Sequence, residues 1–253
     1  MSVEHHRRAV QKIEQKPLLD EGAESRVFDD SSGFVDKISL GKVQDALPSG
    51  DFVEIDFDLE HVPDSVRKLF LQRYLVIKML RVLYPQIFPQ MTVPITKAYP
   101  RFKQKKVLGI KEYDDVELEY ARTEVAGVYD QHERRFKVHT KIHKVPTKKG
   151  ADTARAWRTA VVSSREKLLP LGVHIDAAQH HDNFIKDEQG IYWYIDTIGI
   201  PNPKATADAL EKSLCERFSD SERMSVQYIS LAGALKKFRK ISGIDSAQNR
   251  STT

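Results

Sequence analysis

The sequence predicts an α+β fold in which small antiparallel strands come first and helices dominate the later part. Three observations carry that expectation. Short alternating apolar and polar runs, split by Asp, Ser and Gly, recur over residues 22–38. A stretch of helical periodicity covers 66–83, with Leu69, Leu71, Leu75, Ile77, Met79 and Leu83 among its apolar positions. Two further helical stretches, about 204–218 and 225–240, lie near the end of the chain.

Composition sets the frame for these elements. The chain has 253 residues, 40% of them hydrophobic and 30% charged, enough apolar material for a substantial core in one large domain or two closely packed lobes. Forty Lys and Arg stand against 36 Asp and Glu, a net charge of +4 that permits anionic ligands without demanding nucleic acid. The single cysteine, Cys215, has no intrachain partner, which fits a reducing compartment and a cytoplasmic location. The first twenty residues carry charges throughout and no stretch reaches the length of an apolar span, so neither export nor membrane insertion is expected.

In chain order, residues 1–20 are an N-terminal extension to which no element is assigned. Arg26-Val27-Phe28 and Phe34-Val35-Asp36-Lys37-Ile38, joined by Asp-Asp-Ser-Ser-Gly, form a β-hairpin. Residues 51–60, DFVEIDFDLE, alternate with period two and read as an added edge strand. After Pro63 comes a helix of about five turns that must stop near Tyr84-Pro85, because proline disfavours helical geometry in the residue before it. Strands are expected over 91–95 and 107–113, and a polar, alternating pair over 116–125 and 136–145 whose pairing partners stay open. Asp152 or Thr153 can cap a helix ending before Pro170. Asn183-Phe184-Ile185 and 191–195 flank a Lys-Asp-Glu-Gln-Gly turn and form a second hairpin, and residues 242–253 are a tail too poor in apolar groups to need fixed structure.

Phosphoryl transfer needs a cover for the phosphates, a cation beside them and oxygen ligands for Mg²⁺. Gly22-Ala23-Glu24-Ser25-Arg26-Val27-Phe28 supplies a candidate cover, with Gly22 and Ser25 facing the phosphates, and Lys37 lies on the next strand. Asn183 and Asp196 lie on the two arms of the second hairpin, so an amide oxygen and a carboxylate can converge on one metal. An acid ending the apolar run 191–195 is costly unless paired or metal-bound.

From Gly22 to Gly199 this order and spacing resembles the protein-kinase-like superfamily, including aminoglycoside and choline phosphotransferases. The resemblance implies two lobes, a small antiparallel β N-lobe over 21–113 and a mainly helical C-lobe over 114–241 with a β insertion at 114–150. It also implies ATP and Mg²⁺ in the cleft, with Lys37 on the α- and β-phosphates, Asn183 and Asp196 holding metal, and Asp176 as catalytic base. Three positions depart from the family pattern. The family's Asp stands five residues before the Asn, where this chain has Ala178, whereas Asp176 stands seven before; either the loop carries a two-residue insertion or the base is missing. The phosphate turn has one glycine, Gly22, in place of three. No glutamate lies between Val66 and Leu83 to pair with Lys37; Gln72 is the polar residue nearest the helix middle and Glu60 precedes it.

The leading expectation is therefore a phosphotransferase acting on a hydroxyl of an unidentified small molecule, since the short stretch after Gly199 leaves little room for an extended substrate lobe. The alternative is a pseudokinase that binds nucleotide or a protein partner without catalysis. A third reading, a basic nucleic-acid-associated protein using 132–150, is weaker because no base-stacking platform accompanies the charge. Lys37 on a solvated strand face, His174, His180 and His181 as surface histidines rather than metal ligands, and Trp157 and Trp193 as core residues are the plainer readings of those positions.

Overall fold

The computed structural model describes residues 12, 14–21, 25–29, 31, 34–47, 49, 52–58, 61–89, 91–92, 101–105, 109–110, 118–130, 135–146, 148–175 and 183–244. It is an α+β structure of small antiparallel sheets and several helices. The first part contains β1 (Leu18–Glu21), β2 (Ser25–Asp29), β3 (Phe34–Ser39), β4 (Lys42–Ala46), β5 (Phe52–Asp56), α1 (Asp64–Leu83), β6 (Met91–Thr92) and β7 (Arg101–Lys105). It continues through β8 (Gly109–Ile110), β9 (Leu118–Asp130), β10 (Arg135–Pro146), α2 (Lys148–Leu168), β11 (His174–Ile175), β12 (Phe184–Asp187), β13 (Tyr192–Tyr194), β14 (Ile198–Gly199), α3 (Pro203–Arg217) and α4 (Val226–Ile241).

A five-stranded sheet in the order β1-β2-β3-β7-β6 forms the first layer. The expected β2-β3 hairpin is present, with Arg26 opposite Ile38 and Val27 opposite Lys37. β7 completes the sheet beside β3. Its sequence, RFKQK, lacks apolar alternation, so only pairing with a neighbour marks it as a strand. β1 begins within the segment to which the sequence assigned no element and ends one residue beyond it. β5 is the strand expected from DFVEIDFDLE; it pairs with β4, Val43 opposite Ile55, in a separate two-stranded hairpin.

Helix α1 spans twenty residues and ends where Pro85 requires, the Tyr84 N–H closing on the Leu80 carbonyl at 2.6 Å. Its apolar stripe enters a core shared with Ile87, Phe88, Leu168, Phe184, Tyr194 and Ile198, and with Leu210 and Leu214 of α3 and Leu231 and Phe238 of α4. Helix α2 begins at Lys148, ahead of the Asp152 or Thr153 cap expected from sequence. Pro146 has no N–H for a further ladder bond, and β10 ends there. β9 and β10 pair with each other, Leu118–Asp130 against Arg135–Pro146, which settles the partner question the sequence left open. Asn202 caps α3 through Ala205 N–H at 3.1 Å, and Ser225 caps α4 through Tyr228 N–H at 3.2 Å.

Candidate functional site

The site is built around the β12-β13 hairpin. Asp187 organises its turn: one carboxylate oxygen accepts from the backbone N–H of Gln189 at 2.9 Å and Ile191 at 2.8 Å, and the other from the Trp193 indole at 2.7 Å. Burial pushes the Asp187 carboxyl up, but the hydrogen bonds from Trp193, Ile191, Gln189 and Gly190 outweigh it and hold the group below its ordinary range. Trp193 is accordingly a half-buried hydrogen-bond donor and not a core residue, whereas Trp157 packs edge-on to Phe184 against the core. Asp187→Ala removes all three bonds and should lower unfolding free energy by about 1–2 kcal/mol, read from urea denaturation.

At the other end of the hairpin Phe184 and Tyr194 face each other, both 1% exposed, their ring centroids 5.2 Å apart. This buried pair anchors residues 195–197. The Ile195 N–H donates to the Asn183 carbonyl at 2.9 Å, and the Tyr194 hydroxyl donates to the Thr197 carbonyl at 2.6 Å. Ile195 and Asp196 are thus held in a short arch beside Asn183, which is itself 9% exposed. The two arms bring Asn183 and Asp196 to one end of the hairpin.

Lys37 reaches that arch from the five-stranded sheet. Its ammonium donates to the Ile195 carbonyl at 2.8 Å across 158 positions of sequence, and lies 3.8 Å from an Asp196 carboxylate oxygen. The Lys37 side chain is 16% exposed and that of Asp196 34% exposed, so the pair is sheltered on the lysine side and open on the acid side. Lys37 is no solvated strand lysine. The neighbouring Asp36 points to the other face of β3, where it is buried against the Lys16 ammonium at 2.7 Å. Ser25 opens β2 opposite Ser39, and the period of two places it on the same sheet face as Lys37. Gly22 and Asp176 lie outside the described residues, as do Ala178, His180, His181 and Asp182.

The long helix provides no acid for Lys37 among the described residues. Gln72 donates to the Ser242 hydroxyl at 2.9 Å, at the end of α4. The polar residue of α1 that is buried is Arg73, 1% exposed, whose guanidinium donates to the Gln44 carbonyl and lies 3.8 Å from the Asp45 carboxylate. Arg73 thereby ties α1 to β4. The β4-β5 hairpin in turn presses on Gly199, three residues after Asp196: a Cβ there would overlap the Ala46 side chain and meet the Phe52 ring at 3.1 Å. These supports were missed in sequence, although a glycine in a strand, Ile198-Gly199-Ile200, is a recognisable mark of close approach.

β14 pairs with β11, Gly199 opposite His174, so the arch carrying Asp196 runs beside the strand that leads toward Asp176. Burial, with the Arg165 guanidinium adding to it, holds His174 below its ordinary value of 6.5. The unfolded chain then binds the proton more readily than the folded one, so the contribution of His174 to stability is complete above about pH 6.5 and is lost as pH falls below it. Urea midpoints at about pH 7.5 and about pH 5.5 should differ less in His174→Gln than in the parent protein. Among the described residues no three His, Cys, Asp or Glu side chains gather as a metal cluster, and no helix is long and apolar enough to cross a membrane.

No protein-family model and no curated protein matches the sequence. Among solved structures, the chain is similar at a TM-score of 0.20 and 14% identity to the Rio2 kinase in its ADP/Mg²⁺-phosphoaspartate complex from Chaetomium thermophilum, over 94% of this chain and 75% of that one. A likeness so slight assigns no family.

Proposed function

We propose that the chain is an ATP- and Mg²⁺-dependent phosphotransferase acting on a hydroxyl of a small molecule. The observation that carries this reading is the meeting of Lys37 with the Ile195-Asp196 arch, 158 positions away, beside Asn183. A sheltered ammonium next to a carboxylate, with an asparagine on the adjoining arm of the hairpin, supplies the kinds of group a metal-bound triphosphate requires. Lys37 would exchange its contact with Asp196 for the α- and β-phosphate oxygens, and Asp196 and Asn183 would present oxygen to the metal. Mg²⁺, when bound, supplies the positive charge that offsets charge developing on the transferred phosphoryl group. Ser25, on the same sheet face as Lys37, and Gly22 would border the phosphates, and Asp176 would orient the acceptor hydroxyl and take its proton. On this reading 21–113 and 114–241 correspond to two lobes, with 114–150 inserted in the second, and the protein works in the cytoplasm.

A nucleotide-binding chain without turnover is the second reading, favoured by Ala178 at the position five residues before Asn183. The two separate in an assay of ADP release over a panel of small alcohols, run beside a thermal-shift titration with ATP and Mg²⁺. Catalysis predicts magnesium-dependent ADP release that Asp176→Ala abolishes. Thermal stabilisation without ADP release from any acceptor supports the pseudokinase, and absence of any ATP-dependent shift overturns both.

A further inference from the structure

One face of α4 is left uncovered by the described residues. Val226, Ile229, Gly233, Lys236, Lys237 and Lys240 fall at helical spacings of three, four and seven along a single stripe, and all are exposed. Its first half is apolar: Val226 is 85% exposed, Ile229 57%, and Met224, in the turn just before the helix, 81%. Its second half is basic, and the ammonium groups of Lys236, Lys237 and Lys240 form no ion pair among the described residues. Gly233 stands near the middle of the Val226–Ile241 helix, and a Cβ built there meets nothing within 4 Å. Just ahead of the stripe stand two exposed acids with Arg223 beside them: Asp220 is ion-paired with the Arg223 guanidinium at 2.7 Å, and the Glu222 carboxylate accepts from the Ser219 N–H and hydroxyl, which leaves this end net acidic by one charge.

From end to end the pattern is acidic, apolar, small, basic. Laid antiparallel on a copy of itself about Gly233, it sets the basic half of one helix against the apolar and acidic end of the other. The long lysine stems can cover Ile229 and Val226 while their ammonium groups reach toward Glu222, the acid of the two that forms no ion pair among the described residues. Gly233 at the crossing allows close helix approach. An anionic lipid surface fits less well, because the Glu222 carboxylate near Met224 would be driven against the headgroups. We infer that the chain forms a twofold homodimer through the exposed α4 face, the helices crossing antiparallel at Gly233. A self-complementary patch is what a twofold interface requires, and one helix face is small for an interface, so the association is weak and concentration-dependent.

The test is sedimentation equilibrium of the full chain up to its highest soluble concentration. The expected result is a reversible monomer–dimer equilibrium, weakened at least about tenfold by Ile229→Glu. Gly233→Gln separates the interface from the fold: replacing an exposed helical glycine should raise the thermal midpoint, yet the added bulk should weaken the dimer. A chain that stays monomeric throughout overturns the inference and leaves the stripe to a different partner. A dimer indifferent to both substitutions overturns it equally.

Discussion

Lys37→Met is expected to weaken Mg²⁺-ATP binding by about tenfold to a hundredfold, the loss expected when a charge-assisted hydrogen bond worth about 1.5–3 kcal/mol disappears. Methionine keeps the length and apolar stem of the side chain but has no ammonium, so the Ile195 carbonyl loses its donor and Asp196 loses the cation 3.8 Å away. The cost to folding should be modest, about 1 kcal/mol, because Asp196 is one-third exposed and water can reach it. Arginine at the same position should not restore binding, since a planar guanidinium does not reproduce a compact ammonium directed at one carbonyl and one carboxylate. A full loss of folding in Lys37→Met would mean that the lysine is chiefly structural. Unchanged nucleotide affinity in a folded variant would remove it from the site.

Gly199→Val should destabilise the protein by about 1–3 kcal/mol, the range for overpacking a filled interior. The backbone at Gly199 does not need left-handed geometry, so the effect is steric: a side chain would overlap Ala46 and crowd Phe52. Something must move, either the β4-β5 hairpin outward or β14 and the arch before it. Ala46→Gly in the same chain removes the severest overlap, and the double variant should recover part of the loss in urea denaturation. If the arch moves, nucleotide affinity falls together with stability and returns together with it. Additive losses would show that Gly199 and the β4-β5 hairpin are not coupled as the packing indicates.

How much of this was legible in sequence varies with the physical signal each element carries. α1 was clear because its apolar residues repeat at helical spacing and Tyr84-Pro85 marks its end. The β2-β3 and β12-β13 hairpins were clear because alternating runs flank turn residues, and that register brings Asn183 and Asp196 together. β7 was missed since RFKQK has no alternation to read, and β4 since KVQDA is short and its Val43 clusters with residues distant in sequence, Val62, Val66, Leu69 and Phe70. The partner of Lys37 was beyond sequence reasoning for a different reason. A contact spanning 158 positions leaves no local periodicity, and the carboxylate beside Lys37 comes from the end of the β12-β13 hairpin rather than from the long helix. Arg73 likewise resembles any helix-surface arginine until its burial against Gln44 and Asp45 is seen.

The most direct test of the central claim, that Lys37 and Asp196 form one nucleotide and metal site, is isothermal titration of ATP in the presence of Mg²⁺ into the parent protein, Lys37→Met and Asp196→Asn, repeated with the metal chelated. The account predicts saturable one-site binding that requires Mg²⁺ and is lost or severely weakened in both variants. Absence of binding to the parent protein, or equal binding by all three, would contradict it.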